Sequence, residues 1–284
     1  MAILLLMPLA GANTNITTKT NQQPTTSSYD FTHTVIGEYV TTTGCGYCPT
    51  ASSQLYSIYN SGDYEYYYVS LVADMNSKIY KRVQELGVTA VPDVYFDGGY
   101  KNLLGAQDNE QAYRNAITQC GERTVPDIDV DVTVEWKGGG TLKITVTVQN
   151  NEAEEYDGHL RVYIVEPESR WNDAQGHPYH FGALALPIDK SLAIPQSQPC
   201  QLGDTYTFTK TWFGALNGFG DITEDNIMVI AAVFDGETDY AVQTAAAEPT
   251  ASTEQFSFFE NFRIFQFFKE NGLFIHLLTL IKNS

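Results

Sequence analysis

A chain of 284 residues is long enough for about two domains of ordinary size. Hydrophobic residues make up 43% and charged ones 18%, so each unit can bury a core and disorder should be local. Lys plus Arg number 16 against 34 Asp plus Glu, and the resulting formal charge of −18 repels phosphate backbones, which counts against nucleic acid as a partner.

Residues 2–10 form an apolar run ending in Ala10-Gly11-Ala12, the pattern of an export signal with a small-residue cleavage site. The usual leading Lys or Arg is missing, as in a truncated start, and the run is too short to span a bilayer. We read residues 1–12 as a signal-like segment. Residues 13–28, nearly all Thr, Asn, Gln and Ser, read as a polar linker carrying the glycosylation sequon Asn15-Ile16-Thr17.

Strand and helix signals then alternate. Residues 33–40 are β-branched and aromatic, residues 48–59 place Leu55, Ile58 and Tyr59 at helical spacing, and residues 64–73 read as a long strand. Ile79, Tyr80, Val83 and Leu86 share one helical face, which Gly87 would cap. Residues 94–96 and 100–104 flank a turn at Asp97-Gly98-Gly99, and residues 108–120 read as a helix with Asp108 at its N-cap. The predicted order over 29–122 is βαβαββα, an α/β unit.

Beyond residue 124 the chain turns to short strands. Ile128, Val130, Val132 and Val134 alternate with Asp127, Asp129, Asp131, Thr133 and Glu135, and the alternation resumes after three glycines at Leu142, Ile144, Val146 and Val148. Residues 160–165, 205–212, 227–234 and 240–244 supply further strands, so an all-β sandwich is expected over 124–246. Residues 168–203 read as an irregular excursion. In 247–284, a linker and Phe-rich tail, Glu260, Arg263, Lys269 and Glu270 interrupt the apolar run, so it does not qualify as a spanning helix. A membrane-surface contact, a helix docked on the protein itself and a poorly folded end all fit the tail.

The chemistry concentrates at Cys45-Gly46-Tyr47-Cys48, where a strand gives way to a helix. There the first sulfur lies beside amide groups with no intrahelical partner, which favour its thiolate. A thiol pKa drawn toward ambient pH raises the reactive fraction while keeping much of the nucleophilicity. Cys45 is therefore expected to attack, and Cys48, one turn on and more enclosed, to resolve the mixed disulfide. Pro49 fits the first turn of a helix, where its missing N–H costs nothing.

These residues resemble the thioredoxin superfamily over about residues 30–122. The likeness rests on Cys45-Gly46-Tyr47-Cys48-Pro49 after the first strand and on Val91-Pro92 just before the hairpin. It implies a thioredoxin-like fold in which Pro92 is cis and faces the dithiol, while the Val91 backbone pairs with substrate. Gly44, Gly46 and Tyr47 would complete the substrate-binding surround; Gly44 stands where the family usually has Trp, so one wall of the groove is either missing or supplied by Tyr47. Glu38 resembles the family's buried carboxylate, a general base if desolvation raises its pKa; an ordinary exposed strand residue is the alternative. More narrowly, residues 38–49, 91–98, Gly105-Ala106 and the following β unit look like outer-membrane-related thioredoxin-like proteins with a C-terminal Ig-like domain. The resemblance implies an exported thiol-disulfide oxidoreductase of the periplasm, cell envelope or exterior, with protein thiol or disulfide substrates, a redox partner protein and no cofactor. The alternative is a non-catalytic envelope binding or adhesion protein whose Cys45–Cys48 bond is structural.

Other residues carry weaker signals. Cys120 and Cys200 either bridge the two units, a loop of about 80 residues whose closure would stabilise by roughly 4 to 5 kcal/mol, or remain inert thiols. His177 and His180 near Asp173 read as loop histidines rather than metal ligands, and Asp127, Asp129 and Asp131 as a solvated strand face rather than a calcium site. No metal site is expected. The tyrosines of 64–68 pack in a strand or line a peptide groove.

Overall fold

At the centre of the computed structural model, which describes residues 30–195 and 205–251, lies β1 (Val35–Thr41), buried along its whole length. A strand covered on both faces needs layers on either side, and the next elements supply them. They are α1 (Cys48–Ser61), β2 (Tyr66–Val72), a single 3-10 turn (Ser77–Ile79) running into α2 (Tyr80–Glu85), β3 (Asp93–Phe96), β4 (Lys101–Leu104) and α3 (Gln111–Gly121). The βαβαββα order matches the pattern read from the sequence. Helix α3 starts three residues later than expected, with Asn109 rather than Asp108 accepting from the Gln111 amide at 2.9 Å. β1 pairs in parallel with β2 and antiparallel with β3. Alternation along β1 assigns its faces: Tyr39 points at α1, where its hydroxyl donates to the Cys48 carbonyl (2.9 Å), and Glu38 points to the opposite side, at α2.

The second half contains β5 (Ile128–Trp136), β6 (Thr141–Asn150), β7 (Tyr156–Asn172), β8 (Pro178–Ile194), β9 (Thr205–Phe213), β10 (Met228–Asp235), β11 (Ala241–Ala247) and β12 (Thr250–Ala251). The predicted hairpin is present, since β5 and β6 pair antiparallel from Ile128↔Asn150 to Trp136↔Leu142 and β6 alternates buried and half-buried positions. One expectation is corrected. Over 168–194 the chain is not an irregular excursion: β7 continues to Asn172, turns at residues 173–177 and returns as β8, while residues 196–203 of that stretch lie outside the described residues. Asp173 closes that turn, its Oδ1 accepting from the amides of Gln175 (2.8 Å) and His177 (3.0 Å). The β7–β8 register shifts, for instance between Val162↔Ile188 and Ile164↔Ala185, which leaves Pro187 outside the regular ladder, while Pro178 opens β8 opposite Asn172.

Strands of both halves form one eight-stranded sheet in the order β11-β10-β7-β8-β2-β1-β3-β4, beside a four-stranded sheet β12-β5-β6-β9. The molecule is thus a mixed α/β structure, mostly β, with few helices. The outer edge of β2 would otherwise expose unpaired backbone groups, and β8 covers it. Their junction is the bridge Ser70↔Gly182, reinforced by Ser70 Oγ donating to the His180 carbonyl (2.7 Å) and Asn76 Nδ2 to those of Ala183 (2.7 Å) and Leu184 (3.0 Å). The large sheet curves strongly. β7 lies three places from β1, about 14 Å in a flat sheet, yet Tyr163 of β7 donates to Glu38 of β1 at 2.6 Å.

Candidate functional site

Helix α1 owes its start to Pro49 in the first turn and its end to Gly62, whose left-handed backbone (φ 66°) a side chain would resist. Its buried face, Cys48, Ala51, Ser52, Leu55 and Ile58, fixes it on the sheet and with it the position of the dithiol. Cys45 and Cys48 are joined in a disulfide with Cα atoms 5.4 Å apart. Cys45 is half-buried while Cys48 is inaccessible, the asymmetry expected of an attacking and a resolving sulfur. The Cys48 amide points at Cys45 Sγ from 3.1 Å, so the first amide of α1 is aimed at the outer sulfur.

The cis peptide bond lies between Val91 and Pro92, and the Val91 carbonyl oxygen is 3.7 Å from Cys45 Sγ. Two segments 46 residues apart therefore meet at the sulfur. Tyr47 is 75% exposed, and Met75, in the turn after β2, and Leu104, at the end of β4, are also exposed. Asp74, next to Met75, accepts from the Thr43 amide (3.0 Å) and hydroxyl (2.5 Å), and Gly105, next to Leu104, donates to the Pro92 carbonyl (2.7 Å). A Cβ added at Gly44 or Gly46 would meet nothing within 4 Å, so both glycines border open space.

Glu38 is buried, as one reading expected, but it is not a raised-pKa base. Both its oxygens are held by Arg82, Nε to Oε1 and Nη2 to Oε2 at 2.7 Å each, and Tyr163 donates to Oε1. Burial alone would push the carboxyl up; the charge and hydrogen bonds of Arg82, with the Tyr163 bond, outweigh it and hold the group below its usual value. Its side chain also faces away from α1. The group beneath the dithiol is instead Tyr39, whose burial keeps its hydroxyl protonated well above the usual tyrosine range. Period-two alternation placed one residue differently would have found Tyr39; Arg82, next to Lys81 in an amphipathic helix, gave no signal.

The remaining candidates lie away from the dithiol. Cys120 is a buried free thiol whose pKa burial pushes up, and Cys200, its expected bridge partner, lies outside the described residues, as do segments 1–29 and 252–284 with the signal-like stretch, the sequon and the Phe-rich tail. His180 stacks on Tyr56 with ring centroids 3.3 Å apart, and Asn151 Nδ2 donates to Asp127 (3.2 Å) and Asp129 (2.9 Å). Among the described residues no group of three or more His, Cys, Asp or Glu side chains is arranged to hold a metal ion. Tyr64, Tyr66 and Tyr68 are buried and pack.

No protein-family model matches the chain, and no curated protein matches it in sequence. Similar solved structures include a protein from Agrobacterium tumefaciens at 14% identity, with 77% of this chain and 95% of that one covered and a TM-score of 0.44. A domain of the outer membrane lipoprotein Omp28 from Porphyromonas gingivalis is also 14% identical, covering 46% of this chain and 95% of the domain at a TM-score of 0.29. A Bacteroides uniformis beta-glucuronidase matches at 15% identity, 42% of this chain, 12% of the enzyme and a TM-score of 0.23. At such similarities the chemistry of the site rests on its own atoms.

Proposed function

We propose that the protein is an exported thiol-disulfide oxidoreductase acting on protein substrates, with a thioredoxin-like unit over residues 29–122 joined through a shared sheet to an Ig-like β unit. The observation that carries this reading is the half-exposed Cys45 sulfur under the first amide of α1, with Cys48 sealed behind it and the Val91 carbonyl beside it. In the reducing direction the Cys45 thiolate attacks a client disulfide, forms a mixed disulfide and expels the first client thiolate. Cys48 then attacks Cys45 Sγ, its proton passing to the departing second client thiolate, and two electrons have passed to the client as the Cys45–Cys48 bond closes. The opposite direction transfers the bond to a client dithiol, and a partner dithiol or disulfide resets the pair. Val91 offers backbone groups for β-like pairing with an extended client segment, and Tyr47, Met75 and Leu104 offer apolar surface. Gly44 leaves open the side where a Trp would stand, which suits clients of varied shape. The apolar residues 2–10 support export to an oxidising space, where disulfides persist.

Turnover of a model protein disulfide, with Cys45→Ser as control, tests the reading. Turnover by the parent protein and none by the variant is expected. Equal behaviour of the two would instead favour an envelope binding protein with a structural disulfide.

A further inference from the structure

Beneath the dithiol runs a buried chain of three hydroxyls, and its last member comes from outside the α/β unit. Tyr39 donates to the Cys48 carbonyl (2.9 Å), Thr41 Oγ1 donates to Tyr179 Oη (2.8 Å), and Tyr179 donates to the Thr42 carbonyl (3.0 Å). Tyr39 Oη also lies 3.1 Å from Thr41 Oγ1, so the three hydroxyls are continuous. Each has one hydrogen to give, and all three are used. The two backbone acceptors flank Cys45 on either side. The Thr42 carbonyl is also the acceptor for the backbone amide of Cys45 itself (3.2 Å), so one oxygen atom separates the Tyr179 hydroxyl from the attacking residue. Tyr39, Thr41 and Tyr179 are fully buried, where no water replaces a lost partner, and the Tyr39 and Tyr179 rings pack edge to face at 6.2 Å.

We propose that Tyr179, carried by β8, is a positioning residue for the dithiol. It anchors the Thr42–Cys45 turn so that the Cys45 sulfur stays 3.1 Å from the Cys48 amide, and through it the β7–β8 hairpin sets the ionisation of Cys45 and the redox equilibrium of the pair. This deepens the oxidoreductase reading and rests on it. A sulfur held against an amide is stabilised as thiolate, which exists only in the reduced form. Loosening the turn therefore raises the Cys45 pKa and shifts the equilibrium toward the disulfide.

The test uses Tyr179→Phe, which keeps the ring and removes the hydroxyl, with Tyr68→Phe as control, because the buried Tyr68 hydroxyl has no hydrogen-bond partner. Two measurements are made on the whole chain. One is the Cys45 thiolate titration in the reduced protein. The other is the equilibrium in which two glutathione thiols reduce the Cys45–Cys48 bond to the dithiol and leave as one glutathione disulfide. Tyr179→Phe is expected to raise the Cys45 pKa and to move the glutathione equilibrium toward the oxidised protein by about fivefold, the worth of one buried hydrogen bond. Tyr68→Phe should leave both unchanged. Should Tyr179→Phe not fold, Thr41→Val replaces it: it leaves the Tyr179–Thr42 bond but removes the donor that orients the Tyr179 hydroxyl, so both readouts should shift in the same direction by less than fivefold, and Thr41→Ser, which restores the hydroxyl, should return them to parent values. Unchanged pKa and equilibrium in a folded hydroxyl-deletion variant overturn the proposal while leaving the oxidoreductase reading intact. A parent Cys45 that titrates like free cysteine overturns the oxidoreductase reading, and this proposal with it.

Discussion

Glu38→Gln is the substitution that most sharply separates a structural carboxylate from a catalytic one. Glu38 and Arg82 are 0% and 1% exposed in their side chains, and they share two charge-assisted hydrogen bonds of 2.7 Å. The variant keeps the shape but leaves the guanidinium without its full counter-charge. Breaking one partner of a buried pair costs about 3 to 5 kcal/mol. Arg82 retains Glu85 at 3.4 Å and Asp239 at 3.9 Å, both partly exposed, which places the loss near the lower end, about 3 kcal/mol. At about 2 to 4 °C per kcal/mol for a chain of this size, the melting temperature should fall by roughly 6 to 12 °C. The pH dependence has a definite sign. The folded carboxyl titrates below its ordinary value of 4.5, so its stabilisation is complete above that value and is lost as pH falls through the lower folded one. The difference between parent and variant in urea titrations should therefore be full at pH 7 and shrink below about pH 4. A variant as stable as the parent at pH 7, with disulfide exchange abolished, would refute this reasoning and restore Glu38 as a base.

Three further outcomes follow from the same geometry. Cys48→Ser should trap a client as a mixed disulfide on Cys45, detectable as a higher-mass species on nonreducing gels, because the inaccessible Cys48 is the sulfur placed to release it. Gly44→Trp should change stability by less than about 0.5 kcal/mol, since a side chain there enters open space, yet alter client affinity in exchange assays; a large loss of stability would show that the turn is not open. Gly182→Ala should cost about 1 to 3 kcal/mol in denaturant titrations, because the new Cβ would collide with the side chain of Ser169 at the bridge where β8 joins β2.

Local order was legible because it follows from short-range periodicity. The helix after Cys48, the strands around it and the β5–β6 hairpin all appear where spacing put them. The dithiol was legible for the same reason, since its motif and the helix start are neighbours in the chain. What escaped is long-range. The β7–β8 hairpin does not follow an even alternation, because its register shifts, and a strand that bulges can hold residues such as Pro187 that an even ladder rejects. The continuous sheet depends on β8 finding β2 more than a hundred residues away, which no local pattern encodes. Glu38 was placed near the resolving sulfur because one residue of registry turns a side chain to the opposite face; Tyr39 occupies that position, and the partners of Glu38, Arg82 and Tyr163, come from elements 44 and 125 residues distant.

The equilibrium of the Cys45–Cys48 bond with a graded glutathione or dithiothreitol series, read by alkylation of the freed thiols, probes the central claim most directly. A reversible transition between about −270 and −120 mV, with Cys45 labelled first near neutral pH, is the predicted result. A bond that stays closed down to below about −300 mV, releasing two thiols that label equally slowly, would identify it as a structural link and contradict the assignment of redox chemistry to this site.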